Sequence, residues 1–305
     1  MGVKVSIVIC TYNREKYIAE SIHAALNQTA DKELFQVIVV NNNSRDQTDT
    51  ICRKLQDDNK LQFDYFIETN QGNSYARNRG IYESKGDIIV FVDDDAMMEP
   101  SYVENLLAFY QNNPDVDAVG GRIYPRYEEK KANWLSPVLM PLIAALDKGN
   151  TPQPFRWGKF PIGANMSFRK QVFETIGVFN VELGRIAGNL QGGDEKDVFA
   201  RMRLKELSIW YCPDLVVHHV IPASRLEDEY IRRMGIGVGE SEYRRTKTIG
   251  GSAYLIACMK ECMKWGVTFF LALGYTVSFR FPKAWMLIRF RGWVTKGLLF
   301  NRITV

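Results

Sequence analysis

Apolar runs rich in β-branched residues recur along the first hundred residues, and a polar loop and a helical stretch follow each of them. The runs cover residues 4–10, 35–40, 61–67 and 87–92, and in 61–67 apolar residues alternate with polar ones. Strands that are apolar throughout are typical of a parallel sheet buried on both faces. Alternating strands and helices form βαβ units with right-handed crossovers. The sequence therefore predicts an α/β fold in which helices flank a mostly parallel sheet.

Three consecutive aspartates, Asp93, Asp94 and Asp95, follow the fourth run. Adjacent like charges repel, so the three ionised carboxylates need a cation or hydrogen-bond donors nearby. Ligands of open α/β sheets bind beyond the carboxyl ends of the strands, and Mg²⁺ or Mn²⁺ suits carboxylate oxygens. The triplet thus indicates a site for a metal and a phosphate. The alternative is a solvated acidic turn before the helix near Pro100.

A second carboxylate pair, Asp194 and Glu195, follows Gly192 and Gly193 and opens an amphipathic helix. Either carboxylate could act as a general base in a cleft. The alternative is that the acidic residues, Asp197 among them, complement the helix dipole.

Two histidines, His218 and His219, end the last predicted strand, at residues 213–219. Because neighbouring residues on a strand face opposite ways, only one of them is expected to reach a site. Beside an aspartate-bound cation, an imidazole would serve as a further ligand. A purely structural role for the pair is the alternative.

Together these segments resemble the family 2 glycosyltransferases, which have the GT-A (Rossmann-like) fold. The resemblance covers residues 3–222, and we assign residues 1–222 to this domain. The matching segments are residues 8–13, 39–46, 70–72, 76–78, 91–95, 163–169 and 193–197.

The resemblance implies an inverting enzyme that moves a sugar from a nucleotide-diphosphate donor, a UDP-sugar first of all, to a hydroxyl of a glycan or lipid-linked acceptor. It also implies a divalent metal, Mg²⁺ or Mn²⁺, and a carboxylate base. Glu195 occupies the position of the usual base. The family usually has the order Glu–Asp, whereas this sequence has Asp194–Glu195, so Asp194 is also a candidate for the base.

The other site residues follow from the same resemblance. Asp95 and His219 would hold the metal, and Asp93 would contact the ribose or sugar with Asp94 beside it. Asn165 would lie near the donor sugar. Asn41 departs from the family pattern, in which an aspartate often recognises uracil. The positions that match nucleotide contacts are Thr11, Tyr12, Asn13 and Arg77.

The C-terminal region, residues 223–305, is predicted to be helical. Residues 262–305 contain no acidic residue and carry a charge of +7, which leaves −3 for the rest of the chain. The uncharged run at 265–279 is shorter than the ~20 residues that span a bilayer. Basic flanks and three tryptophans favour peripheral contact of residues 264–305 with an anionic membrane. A buried helical hairpin or a dimer interface is the alternative.

Five scattered cysteines are typical of a reducing compartment, and strand-like sequence begins at Val3, where a signal peptide would lie. We therefore expect a cytoplasmic protein, at the inner face of the cell membrane. No nucleic-acid recognition module accompanies the basic charge. Residues 125–158 are predicted to form a lid or binding loop.

Two other functions compete with sugar transfer. A nucleotidyltransferase would need a glycine-rich loop after the first strand, and residues 11–14 contain no glycine. A catalytically silent nucleotide-sugar-binding module would not need both carboxylate sets.

Overall fold

The computed structural model describes most of the chain. The described residues are 2–58, 63–156, 158–184 and 193–300. Outside these ranges lie Leu61, Gln62 and Gly192, residue 157 of the predicted loop 125–158, and residues 301–305 of the C-terminal region.

The chain divides into two compact units. The first comprises Met1–Arg126 and Ala144–Val220, and the second comprises Tyr127–Ile143 and Ile221–Val305. A domain boundary at residue 222 stays a prediction.

The strands are β1 (Val5–Thr11), β2 (Phe35–Asn41), β3 (Phe63–Ile67), β4 (Ile88–Asp93), β5 (Ala96–Met98), β6 (Ala118–Tyr127), β7 (Gln153–Pro154), β8 (Asn165–Arg169) and β9 (Ile209–Ile221). The helices of the first unit are α1 (Ile18–Leu26), α2 (Thr48–Asp58), α3 (Asn73–Glu83), α4 (Tyr102–Asn112), α5 (Gln171–Ile176) and α6 (Asp194–Leu204). A short 3₁₀ turn, Lys32–Leu34, precedes β2.

The strands form one sheet in the order β3-β2-β1-β4-β8-β6-β9-β5, and β7 pairs with β9. The four strands from β3 to β4 are parallel, which confirms the α/β prediction. The sequence analysis did not predict that the sheet continues with antiparallel pairs, β4 with β8, β8 with β6, and β5 with β9.

The mostly apolar runs of β1 and β2 are explained by burial on both sheet faces. Alternate residues of β1 and β2 pack into two separate hydrophobic cores, one on each face of the sheet. Ile7 and Val37 belong to the first core, and Val8 and Ile38 belong to the second. Helices α1 and α4 contribute to the first core, and α3, α5 and α6 contribute to the second. This packing fixes the carboxyl ends of the parallel strands at one edge.

The predicted loop at residues 125–158 contains short regular elements. It begins within β6, includes a 3₁₀ helix at Pro137–Ile143, and contains β7. Its proposed role as a lid stays a prediction.

The second unit contains three long helices, α7 (Asp228–Ile249), α8 (Gly251–Val277) and α9 (Phe281–Leu299), after a 3₁₀ turn at Ala223–Leu226. Helices α7 and α9 cross closely at glycines. A Cβ on Gly239 would lie 2.1 Å from the Val294 oxygen, and a Cβ on Gly297 would lie 2.1 Å from the Ile236 oxygen. Gly239 of α7 and Gly297 of α9 therefore serve helix packing. None of the described helices is both long enough and apolar enough to cross a membrane.

Candidate active site

The site begins where three neighbouring parallel strands end. Thr11 at the end of β1 pairs with Asn41 at the end of β2, and Cys10 pairs with Asp93 at the end of β4. The strand register therefore places the predicted loop residues of β1, the asparagine of β2 and the acidic triplet along one edge.

The pairing of β5 with β9 brings His219 to Asp95. Ala96 lies opposite His219 in this antiparallel pair, and the Val220 N–H donates to the Asp95 carbonyl oxygen at 2.8 Å. The His219 Nε2 atom lies 3.0 Å from Asp95 Oδ1, and both side chains are only 1% exposed. Two residues far apart in sequence thus meet at a buried position.

Asp93 joins this pair. Ligand atoms of Asp93, Asp95 and His219 all lie within 4.8 Å of one another. Two carboxylates and an imidazole offer oxygen and nitrogen donors, which suit Mn²⁺ and also Mg²⁺. Asp95 is buried and Asp93 is half-buried, and two carboxylates this close favour a nearby positive charge, so this cluster fits a divalent cation. The resemblance had assigned Asp93 to the ribose or sugar, and its place in the cluster was not foreseen.

The other histidine faces away from the cluster. The His218 Nε2 atom lies 2.6 Å from Glu99 Oε1, and the imidazole ring lies against the Tyr124 ring at 5.8 Å. The two histidines therefore alternate across the strand.

Arg14 supplies a positive charge at the acidic triplet. Its Nε lies 3.2 Å from Asp94 Oδ1, and its guanidinium reaches Asp95 Oδ2 at 3.5 Å. The Arg14 backbone N–H donates to the Thr48 hydroxyl at 2.9 Å, which fixes the loop after β1. Burial raises the pKa of Asp94 to about 7, and Arg14 works against that rise. Arg14 was not among the predicted site residues. Its position next to the predicted site residue Asn13 could have indicated that it belongs to the site.

The loop after β1 is held by the loop after β2. The Asn13 N–H donates to the Ser44 hydroxyl at 2.9 Å, and Asn13 Oδ1 accepts from the Arg45 N–H at 2.8 Å. Asn13 itself adopts a left-handed φ of 52°. Thr11 is buried and Tyr12 is half-buried.

Arg77 on α3 binds both members of the second carboxylate pair. Its Nη1 donates to Asp194 Oδ2 at 2.7 Å, and its Nη2 donates to Glu195 Oε1 at 3.1 Å. Arg77 is 3% exposed, and its guanidinium lies over the rings of Phe91 and Phe179. Its guanidinium thus orients two carboxylates, and the nucleotide contact that the resemblance implied for Arg77 stays a prediction.

The environments of Asp194 and Glu195 differ. The Asp194 side chain is 6% exposed, and Asn73 Nδ2 also approaches it at 3.4 Å. The Glu195 side chain is 27% exposed. Burial raises the pKa of Glu195, Arg77 lowers it, and the Asp194 and Asp93 charges raise it. The influence of Asp93 shows that the second carboxylate pair lies within electrostatic range of the acidic triplet.

Glycine at position 163 allows this arrangement. A Cβ built there would lie 2.0 Å from Glu195 Oε1 and 2.4 Å from Arg77 Nη2. Any side chain at Gly163 would therefore displace the carboxylate. This is a backbone contact that the sequence pattern alone could not assign.

Asn165 is fully buried and bonded within the protein. Its Oδ1 accepts from the Tyr102 hydroxyl at 2.7 Å, and its Nδ2 donates to the carbonyl oxygens of Arg122 and Leu215 at 3.0 and 2.8 Å. Asn165 thus ties α4, β6 and β9 together. The structure assigns its side chain a positioning role, and contact with a donor sugar stays a prediction.

Asn41 is similarly occupied. Its Nδ2 donates to the Tyr65 hydroxyl at 2.7 Å, and its Oδ1 accepts from the Ser44 N–H at 2.9 Å. The Tyr65 hydroxyl in turn donates to Asp49 at 2.6 Å. These bonds hold the loop after β2, and recognition of a nucleobase by Asn41 stays a prediction.

Parallel strands that end in carboxylates at the carboxyl edge of an α/β sheet occur in nucleotide-binding α/β proteins, among them the GT-A glycosyltransferases. The model of the family Glycosyl transferase family 2 matches residues 6–177. This chain belongs to that family, which confirms the predicted membership.

Curated relatives agree with this assignment. The chain is 32% identical over 188 residues to the glucosyl-dolichyl phosphate glucuronosyltransferase of Haloferax volcanii, covering 60% of this chain and 58% of that protein. It is 30% identical over 196 residues to the glycosyltransferase AglE of the same organism, covering 62% of this chain and 58% of that protein. The chain therefore spans rather more than half the length of these two relatives.

Solved structures confirm the GT-A fold. The mannosyltransferase PcManGT of Pyrobaculum calidifontis, in complex with GDP-Man and Mn²⁺, has a TM-score of 0.62 at 16% identity, covering 99% of this chain and 89% of its own. S. aureus TarS 1–349, in complex with UDP-GlcNAc, has a TM-score of 0.53 at 20% identity, covering 77% of this chain and 66% of its own.

Proposed function

We propose that this protein is an inverting, metal-dependent glycosyltransferase that uses a nucleoside-diphosphate sugar. A UDP-sugar is the first candidate for the donor. The observation that carries the proposal is the cluster of Asp93, Asp95 and His219 at the carboxyl edge, within electrostatic range of Glu195. Carboxyl-edge sites of α/β sheets bind nucleotides. The complexes of PcManGT with GDP-Man and of TarS with UDP-GlcNAc support a donor of this class.

Asp93, Asp95 and His219 would hold the divalent cation. A cation bound there supplies Lewis-acid stabilisation of the charge that develops on the departing diphosphate. The Mn²⁺ in the PcManGT complex supports this part of the proposal. Arg14, which already reaches two carboxylates of the triplet, would offer a guanidinium to the same anionic group.

Glu195 would act as the general base. An acceptor hydroxyl is a poor nucleophile, so a carboxylate must take its proton during attack on the anomeric carbon. Glu195 is partly exposed, and its raised pKa makes it a stronger proton acceptor than an ordinary glutamate. Asp194 is buried against Arg77 and would position the pair. Attack opposite the diphosphate inverts the anomeric centre without a covalent intermediate.

The acceptor would be a glycan or a lipid-linked sugar at the cytoplasmic face of the cell membrane. The names of two relatives support this acceptor class, the glucosyl-dolichyl phosphate glucuronosyltransferase and the minor teichoic acid biosynthesis protein GgaB of Bacillus subtilis. We place the reaction at the cytoplasmic face because the sequence predicts a cytoplasmic protein with a basic C-terminal region.

The test is a screen of UDP- and GDP-sugars for slow donor hydrolysis and for transfer, with Mn²⁺ present. We expect one donor to be consumed by the wild type. Glu195→Gln should lower the transfer rate at least a hundredfold while donor binding persists, because only the base is removed. Asp194→Asn should lower stability more than Glu195→Gln does. Consumption of no donor, or near-normal transfer by Glu195→Gln, would contradict the proposal.

A further inference from the structure

Helix α8 presents apolar side chains to the outside. Seven of them recur at intervals of three or four residues, so they lie on one face of the helix, and each is between 50% and 77% exposed. They are Ile256, Met259, Met263, Val267, Phe270, Leu273 and Val277. An ordinary surface helix turns such a face toward the core.

The inward face of α8 carries the polar groups instead. Glu261 is buried, and Arg291 of α9 donates to its carboxylate at 3.2 Å. The Thr295 hydroxyl donates to the same carboxylate at 3.1 Å and accepts from the Trp265 indole N–H at 2.9 Å. Helices α8 and α9 therefore join through a hydrogen-bonded ionic cluster, and the apolar surface is left outside.

The charge around this face has one sign. Glu261 is the single acidic residue of the sequence between positions 250 and 305, and it is buried. Lys260 and Arg280 are exposed, and Lys283 is half-buried at the start of α9. Every charged side chain that α8 and the start of α9 offer to solvent is thus basic.

The turn between α8 and α9 adds aromatic side chains. Phe279 is 82% exposed and adopts a left-handed φ of 57°, at the position after a helix where glycine is usual. Phe281 and Trp285 are also more than half exposed. A bulky residue in this conformation is strained, so stability alone does not favour Phe279 here.

We propose that the outward face of α8 and the turn at residues 278–281 form a docking surface for an anionic lipid bilayer. In the interface, apolar side chains enter the acyl boundary while the basic rim meets anionic headgroups. A second copy of the chain fits this surface less well, because self-pairing would bring like charges together. The helix is 27 residues long, or about 40 Å at ~1.5 Å per residue, and would lie along the membrane surface.

The test is co-sedimentation of the full-length protein, without donor or acceptor, with vesicles of phosphatidylglycerol and phosphatidylcholine. The absence of substrates keeps the result independent of the proposed enzymatic function. We expect the wild type to partition onto these vesicles, and to bind pure phosphatidylcholine vesicles less. Arg280→Gln with Lys283→Gln should lower partitioning about fivefold for each charge removed.

Two substitutions separate docking from folding. Phe270→Glu should lower partitioning at least tenfold, whereas Tyr82→Glu, a matched change at an exposed aromatic residue of the first unit, should leave it unchanged. Phe279→Gly should lower partitioning severalfold without lowering the melting temperature, because it removes the aromatic ring and relieves the strained φ. A purely structural role for Phe279 would not give that combination.

Three results would overturn the proposal. The wild type could stay in the supernatant, or Phe270→Glu could partition as the wild type does. Alternatively, sedimentation equilibrium could show a wild-type dimer that Phe270→Glu dissociates, in which case the surface binds a second copy.

Discussion

Replacing Arg77 with methionine would remove a guanidinium that binds both Asp194 and Glu195. Methionine keeps an apolar stem against Phe91 and Phe179, so the change isolates the charge. Arg77 and Asp194 are both almost fully buried and lie 2.7 Å apart. Removing one partner of a buried pair leaves the other without compensation, which costs about 3–5 kcal/mol.

This loss is large enough to measure by chemical and thermal unfolding. With about 2–4 °C lost per kcal/mol in a domain of roughly 150–250 residues, we expect the melting temperature to fall by about 6–20 °C. The control is Lys4→Met, which breaks the exposed pair between Lys4 and Asp87 and should cost about 1 kcal/mol or less.

A double-mutant cycle then tests the cause. Arg77→Met combined with Asp194→Leu replaces both buried charges with apolar groups, and such replacements are often nearly neutral. The double variant should therefore be more stable than Arg77→Met alone, with a coupling of about 2 kcal/mol or more. Additive losses, or a single-variant loss below about 1 kcal/mol, would refute the reasoning.

Three further predictions concern neighbouring groups. Because Glu195 must be ionised to accept a proton and burial raises its pKa, kcat/KM should fall as pH drops through a value above the ordinary 4.5, and a midpoint at or below 4.5 would contradict this. Asn165→Leu should cost at least about 2 kcal/mol in urea unfolding, since it removes the acceptor of the buried Tyr102 hydroxyl and a donor to the Arg122 and Leu215 carbonyl oxygens. Gly163→Ala should displace the Glu195 carboxylate and lower kcat about a hundredfold with a smaller change in stability, and an unchanged kcat would argue against the contact.

The parallel half of the sheet could be predicted because its physical signal is local. Residues 37–40 are apolar throughout, and burial on both faces of a parallel strand favours that pattern. The acidic triplet could be placed for a similar reason, since a strand end and the carboxylates after it are adjacent in sequence.

The antiparallel half depends on pairing between distant segments. The meeting of Asp95 with His219 follows from the β5–β9 register, which no local pattern encodes. The resemblance suggested His219, while the strand alternation alone allowed either histidine.

The hydrogen bonds of the buried asparagines also could not be predicted from the sequence. Asn165 and Asn41 lie in segments that match the family, yet their amide groups are bonded to protein partners from distant elements. Whether a polar side chain near a site binds a ligand or forms hydrogen bonds within the protein depends on packing, which a sequence motif does not describe.

The central claim is most directly tested by calorimetric titration of UDP and GDP into the protein with Mn²⁺ and again with excess chelator. We expect one nucleotide to bind at least tenfold more tightly with Mn²⁺, and we expect Asp95→Asn to abolish this enhancement while the protein stays folded. Equal affinity with and without the metal, or full enhancement in Asp95→Asn, would contradict a metal-dependent donor site at Asp93, Asp95 and His219.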